Sequence, residues 1–396
     1  MKLGENIIAK SGTAPFFLVS NPADTGLAPP QNRRGDAVRT WVRSLSGFQK
    51  EALVVSARSG LMWRLVSDEG KYLSGHDAAP CPLAFLTTGM IASYMNEITA
   101  LARQKGVALN KLRLIQNNYY TMKGSMRKRT MTGGALPVEL EVEVDCDLED
   151  SALNEFLMNA VHASPLNGLM RGQLASLFTL TKNGDPSNTA QASALDAPVV
   201  ADPSGAAPEP AATELTRIER LGPSPEKVVA KGTKIAASSL TDEQDRTLNP
   251  AAICTIREDG IKEIEQHLYS PHGSVFRFLS DEAPSAGGKG RAPDAVSFIS
   301  AGIGFCFMTQ FGRMASMEAL ELPHYSIVQD THFSLGGASG DTGKAGEADP
   351  VETHVHLMTN EPNETARDML DVSERTCFLH AFCRTDLKTR LKVTRV

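Results

Sequence analysis

Two stretches of the chain carry the same hydrophobic pattern. From Trp41 to Val66, and again from Ile253 to Leu279, apolar and polar residues alternate between turn-forming residues, as strands packed on one face require. A Pro-started apolar segment follows each, Pro82 to Gln104 and Asp294 to Ala319, and is long enough for a buried helix. Two more alternating strands come next, the second being Val138 to Val144 in one half and Val351 to Leu357 in the other. A closing helix is predicted through Leu153 to Arg171 and through Ala366 to Arg384. Strands on both sides of a central apolar helix predict an α+β fold.

The pattern recurs because the sequence does. Shifted by 213 positions, Trp63-Arg64-Leu65-Val66-Ser67-Asp68-Glu69 falls on Phe276-Arg277-Phe278-Leu279-Ser280-Asp281-Glu282. Phe85 falls on Phe298, Gly89 on Gly302, Pro137-Val138-Glu139 on Pro350-Val351-Glu352, and Arg171 on Arg384. A register kept without a gap from Gly60 to Arg171 predicts a duplicated domain. Between the copies, Asn183 to Glu214 is rich in Ala, Pro, Ser, Asp and Gly and holds no aromatic residue. Such a segment cannot bury enough apolar surface to offset its ordering entropy, so a flexible linker with no packing role is expected. The resulting division is an extension over 1–35, a first domain over 36–182, a linker and lead-in over 183–248, and a second domain over 249–396. Shared arginines, Arg64 with Arg277 and Arg171 with Arg384, read as interface or structural charges.

Charge narrows the function. Lys plus Arg is 40 against Asp plus Glu at 46, a formal net charge of -6, which argues against nucleic acid as a partner. The one basic run, Lys123 to Arg129, reads as a charged loop. Six cysteines in 396 residues do not make a disulfide scaffold. No apolar run is expected to span a bilayer, and Lys10 and Pro15 interrupt the stretch that a signal peptide would need. A cytoplasmic protein with no membrane partner is the expectation.

Differences between the copies point to chemistry. Cys306 in the central helix stands where the first half has Ser93, Cys377 in the closing helix where it has Ser164, and His380 where it has Asn167. A buried cysteine is usually a small hydrophobe, but two thiols at matched sites suggest a dithiol capable of nucleophilic or redox work. On one continuous helix, His380 and Arg384 would share a face with Cys377, making His380 a candidate base or thiolate partner. A zinc site from Cys306, Cys377, His380 and Cys383 is disfavoured, since Cys383 would sit roughly 120° from Cys377 around the helix. His354 and His356 share a strand face whose counterparts are Glu141 and Glu143, so that face is expected to be solvated.

The string Phe298-Ile299-Ser300-Ala301-Gly302-Ile303-Gly304-Phe305-Cys306-Phe307 resembles the central-helix motif of the OsmC/Ohr family, the osmotically inducible and organic hydroperoxide resistance proteins. Glu374-Arg375-Thr376-Cys377 resembles its second-cysteine motif. The likeness spans about residues 40–175 and 250–390. It implies two OsmC-like domains, each an antiparallel sheet wrapped around a central helix, packed as an intramolecular pseudo-dimer with one live and one degenerate site. It further implies Cys306 as the peroxidatic thiol and Cys377 as the resolving one, with a small organic substrate, a dithiol reductant as partner and no cofactor. The family's helix-start Glu has its stand-in at Asp294, two residues further from the cysteine, and its strand Arg at Arg257. Two alternatives use the same fold: a cysteine hydrolase of a small carbonyl substrate, assisted by His380, and a non-catalytic ligand-binding protein.

Overall fold

A computed structural model describes residues 4–396 apart from 204, 213, 214, 216 and 227–237. In chain order the elements are α1 (Ile7–Lys10), β1 (Phe17–Leu18), β2 (Gly35–Ser46), β3 (Gln49–Ser56), β4 (Met62–Ser67), α2 (Pro82–Lys105), β5 (Lys111–Ser125) and β6 (Thr132–Asp145). Then come α3 (Asp150–Ala163), α4 (Leu166–Arg171), β7 (Leu177–Lys182), β8 (Asp185–Ser187) and β9 (Ile218–Pro223). The second half holds β10 (Glu243–Ile256), β11 (Lys262–Ser270), β12 (Ser274–Ser280), α5 (Ala295–Glu318), β13 (His324–Ser334), β14 (Glu352–Met358), α6 (Asn363–Thr376), α7 (Phe378–Arg384) and β15 (Thr389–Arg395).

The architecture is α+β. One sheet has the order β1-β4-β3-β2-β13-β14-β7-β8 and the other β15-β6-β5-β10-β11-β12-β9. Neither sheet belongs to one half of the sequence. β2 pairs antiparallel with β13, Val42 opposite Ile327, and β10 pairs with β5, Ile253 opposite Ile115. The expectation that each half wraps a sheet of its own is therefore corrected. An unpaired strand edge is a template for another strand, and here each half's three-stranded meander is extended by a hairpin from the other. Nor is either sheet wholly antiparallel, because β7 joins β14 and β15 joins β6 in parallel. The bounds of α2 and α3, advanced by 213, are those of α5 and α6.

The two central helices lie against each other inside the sheets. A Cβ added at Gly302 would stand 2.6 Å from the backbone N of Leu86, and one at Gly89 would stand 2.6 Å from the carbonyl O of Ala295. Two helices come this close only where side chains are missing at the crossing. α5 is long and apolar enough to cross a membrane by length and composition, contrary to the expectation that no run is, and its apolar window is wholly enclosed by the protein. Phe85, Phe278, Phe298 and Phe305 form its aromatic packing, with ring centroids 5.1–6.3 Å apart.

The closing helix is broken in both halves. α3 stops at Ala163 and α4 begins at Leu166, because Pro165 holds Ser164 extended at φ -62°, ψ 130°. The matched break is at Cys377, φ -72°, ψ 120°, between α6 and α7.

The segment after Asn183 is docked rather than free. Asp202 accepts hydrogen bonds from Trp41 Nε1 and Ser326 Oγ, both at 2.7 Å, and Asp371 accepts from the backbone N–H groups of Gln191 and Ala192. Residue 204 within it and residues 213 and 214 at its end lie outside the described residues. Composition alone missed this because carboxylates and backbone hydrogen bonds do most of the holding, with Ala192 and Val200 the apolar residues that pack on the cores. His354 and His356 are accordingly covered, His354 bonded to Thr179 Oγ1 at 2.9 Å and His356 to the carbonyl O of Val200 at 3.0 Å. The Lys123–Arg129 run ends in Arg129, which pairs with Glu318 and Asp368 and so ties the β5–β6 turn to α5 and α6.

Candidate active site

Cys306 lies midway along α5 and Cys377 at the break between α6 and α7, and the fold brings the two thiols together. Both are buried and neither is in a disulfide. The break matters for this. As the residue preceding α7, Cys377 turns its Sγ back to accept the His380 N–H at 3.5 Å, and its thiol is the hydrogen-bonding neighbour of Cys306. The first half repeats the arrangement with hydroxyls: Ser93 Oγ lies 2.7 Å from Ser164 Oγ.

Burial, and then the neighbouring thiol, push the Cys306 thiol well above its ordinary range. Two groups act in the other direction. The backbone N–H of Leu379 is directed at its sulfur, and the ammonium of the wholly buried Lys50, on β3, lies within electrostatic reach. Burial lowers the Lys50 pKa while Glu69, Asp68 and Cys306 hold it up. Lys50 Nζ donates to the Phe48 carbonyl at 2.5 Å.

A narrow cavity of about 30 Å³ opens beside Cys306, lined by Glu69, Cys81, Arg246, Gln310, Arg313 and Phe378 among others. Glu69 accepts from Thr309 Oγ1 at 2.9 Å and from Tyr72 OH at 2.8 Å. Burial raises its pKa against the pull of Lys50. The matched place beside Ser93 is a roomier cavity of about 290 Å³, lined by Glu282, Lys262, Asn96 and Glu97 among others. There Asn96 Nδ2 donates to Glu282 Oε1 at 2.7 Å, as Thr309 does to Glu69. Each cavity is thus made by both halves, and the thiols occur at one of them.

Three of the five expected site residues lie elsewhere or act otherwise. Asp294 precedes α5, twelve residues from Cys306 and hence about 18 Å along the helix. It accepts the Ser297 N–H at 2.8 Å and stands with Asp36 and Glu282 on the Ser93 side, where burial pushes its pKa up to about 6 and that of Asp36 to about 8. Its counterpart under the 213-residue shift, Cys81, lines the Cys306 cavity instead. A helix start serves the opposite half's site because α2 and α5 cross. Arg257 sits at the β10–β11 turn, 3.7 Å from Asp259 and 3.8 Å from Glu263, and does not line the Cys306 cavity.

His380 is the third. Its ring lies 4.6 Å from that of Phe307 and 5.5 Å from that of Phe178, and neither nitrogen has a hydrogen-bond partner among the described residues. Burial, with Arg384 nearby, depresses its pKa to about 3. A ring this hard to protonate is a poor general base and does not supply a cation to a thiolate. The face shared with Cys377 assumed one unbroken helix, and the break removes it. Arg384 instead folds back on the end of α6, pairing with Glu374 Oε1 at 2.6 Å and donating to the Arg375 carbonyl at 3.1 Å.

Sequence reasoning missed Lys50, Arg246 and Arg313. Under the 213-residue shift Lys50 falls on Glu263 and Arg313 on Ala100, so two of the three have no matching cation to draw notice. Glu69 left a signal, since it aligns with Glu282 within the strongest stretch of the repeat. The one group of metal-ligand type found among the described residues is Asp330, His332 and Glu352. Its carboxylates are already occupied by Arg39 at 2.7 Å and Arg33 at 2.6 Å.

No curated protein matches the chain. A solved structure, an OsmC-like hydroperoxide resistance protein from Jannaschia sp. CCS1, aligns at 19% identity over 32% of this chain and 79% of that one, with a TM-score of 0.18. The family described as OsmC-like protein matches residues 288–392, a span that includes both Cys306 and Cys377. The second half of this chain therefore carries an OsmC-like domain.

Proposed function

We propose that the chain reduces organic hydroperoxides with the Cys306–Cys377 pair, spending a dithiol reductant in each cycle. The observation that carries this reading is the contact of Cys377 with Cys306, which lines a cavity built by both halves, inside the span matched by the OsmC-like family. In the reaction, the Cys306 thiolate attacks one peroxide oxygen, the O–O bond breaks, and the departing alkoxide takes a proton to leave as the alcohol. Cys306 becomes a sulfenic acid. The Cys377 thiol then attacks the Cys306 sulfur, water leaves, and a disulfide forms, which an external dithiol reduces by exchange.

Burial holds the resting Cys306 as a thiol, so reaction requires its thiolate at the moment of attack. Lys50 and the Leu379 N–H are the groups placed to favour it. Glu69 opposes it and belongs to the cavity's polar wall. His380 gives no support to the hydrolase alternative, because its ring is walled off by Phe178 and Phe307.

Intact-mass analysis after a pulse of cumene hydroperoxide tests the reading. The wild-type chain is expected to lose about 2 Da as the disulfide forms, whereas Cys377→Ser gains about 16 Da as trapped sulfenic acid. Cys306→Ser is expected to show neither change and no turnover. Full turnover by Cys377→Ser would sink the disulfide mechanism, and full turnover by Cys306→Ser would sink the site.

A further inference from the structure

The cavity on the Ser93 side has both the room for a small molecule and the charges to hold one. Its volume is about 290 Å³, against about 30 Å³ beside Cys306, and small-molecule sites begin at roughly 300 Å³. Charges of both signs line it. Lys262, from β11, is 6% exposed, and its ammonium makes no hydrogen bond among the described residues. The carboxylate oxygen it faces, Glu282 Oε1, stands 3.8 Å away, beyond hydrogen-bond reach. That oxygen already accepts from Asn96 Nδ2 at 2.7 Å. Asp36, from β2, is 7% exposed, and its Oδ2 lies 4.0 Å from Arg58 Nη1. Its Oδ1 accepts the N–H of the adjacent Ala37 at 2.9 Å.

Cations and carboxylates thus face one another across this space without closing. Burying charges is offset only by close, hydrogen-bonded pairing, which contacts of 3.8–4.0 Å do not supply. The carboxylates register the deficit. Burial, and then the neighbouring carboxylates, raise the pKa of Asp36 and of Asp294 against the pull of Arg58. Two other acids of the wall are engaged: Asp281 pairs with Arg291 at 2.8 Å, and Glu97 accepts the Ala338 N–H at 2.8 Å. Asp36 and Glu282 are therefore the acceptors left for a ligand, and Lys262 and Arg58 the donors. The thiol side does not repeat the set. Under the 213-residue shift Arg58, Lys262 and Glu97 fall on Pro271, Gln49 and Gln310, none of them charged. Met95, Val296 and Leu335 add an apolar stretch of wall.

We infer that the Ser93 cavity binds a small zwitterion of the α-amino acid class with an apolar side chain. Its ammonium would lie on Asp36 and Glu282 and its carboxylate on Lys262 and Arg58. A ligand with both charges on one short frame gives each set the charge-assisted hydrogen bonds that the cavity's own groups do not make to each other. A molecule with one charge would satisfy one set and leave the other buried and unpaired. The site stands apart from the thiols and does not rest on the proposed reaction.

Calorimetric titration of the full-length wild-type chain with L-leucine, leucinamide and N-acetyl-leucine tests this without requiring turnover. Leucine is expected to bind at least tenfold more tightly than either analogue, each of which keeps one of its charges. Lys262→Gln should erase the advantage over leucinamide, and Glu282→Gln the advantage over N-acetyl-leucine, each variant being verified as folded by circular dichroism. Should a variant fail to fold, photolabelling of the wild-type chain with the diazirine analogue of leucine decides. Label is then expected on peptides spanning 93–103 or containing Lys262. No binding of leucine, equal binding of the three compounds, unchanged ratios in folded variants, or label confined elsewhere would overturn the site. Cys306→Ser should bind leucine as the wild type does. A chain that binds leucine but shows no mass change with hydroperoxide would retain this site and lose the peroxidase reading.

Discussion

Replacing Gly302 by alanine tests what holds the two central helices, and so the thiol, in place. In an ordinary helix interior the change would stabilise by about 1 kcal/mol, because glycine costs backbone entropy. Here the new methyl group would lie 2.6 Å from the Leu86 N and 3.2 Å from its Cα. Those atoms are backbone of α2 and cannot rotate away, so the helices must separate by several tenths of an ångström. Overpacking of this kind costs about 1–3 kcal/mol, and a backbone obstacle puts it at the upper end. The expected net loss is about 2 kcal/mol once the helical gain is subtracted. Gly304→Ala is the control, two residues along the same helix. Its methyl would meet Val42 Cγ2 at 2.9 Å, a side-chain atom that can turn aside, so gain and cost nearly cancel. Urea denaturation followed by the fluorescence of Trp41 and Trp63, both buried, reads the difference. Cys306 lies one turn beyond Gly302, so slower oxidation of Cys306 should accompany the lost stability. A Gly302→Ala chain as stable as wild type, or as stable as Gly304→Ala, would refute the close crossing.

Two further outcomes follow from particular contacts. His380 is neutral in the folded chain with a pKa of about 3 but ordinary when unfolded, so stability should fall as pH drops from about 6.5 towards 3. His380→Phe should remove that part of the acid loss and gain about 1–3 kcal/mol by eliminating two unpartnered ring nitrogens; denaturation midpoints from pH 3 to 7 that parallel wild type would contradict this. Asp202→Ala should cost about 1–2 kcal/mol, since it strands the Trp41 indole N–H and the Ser326 hydroxyl. A neutral result in the same denaturation assay would return that segment to the status of a free linker.

The sequence by itself determined the position of the central helices and most of the flanking strands, and it singled out the two cysteines that the fold brings together. Those depend on local periodicity and on a repeat that can be counted along the chain, with helix α2 found at Pro82–Lys105 where Pro82 to Gln104 was expected. It also placed Gly89 and Gly302 at matched positions, although it could not say what they approach. Tertiary structure decided which half supplies which part of a site. Strand pairing between β2 and β13 and between β10 and β5 mixes the halves, and no local pattern states which edge a strand will find. That exchange is why Cys81 and Glu69 of the first half lie beside Cys306 of the second, while Asp294 stands with Asp36 and Glu282, which line the opposite cavity. A helical periodicity argument failed at His380 for a more local reason: the extended backbone at Cys377 turns the following residues onto a new axis. Buried charges follow the tertiary rule. Lys50, Arg246 and Arg313 read as ordinary surface residues on their own strands and helix, and only packing against distant segments removes the water around them.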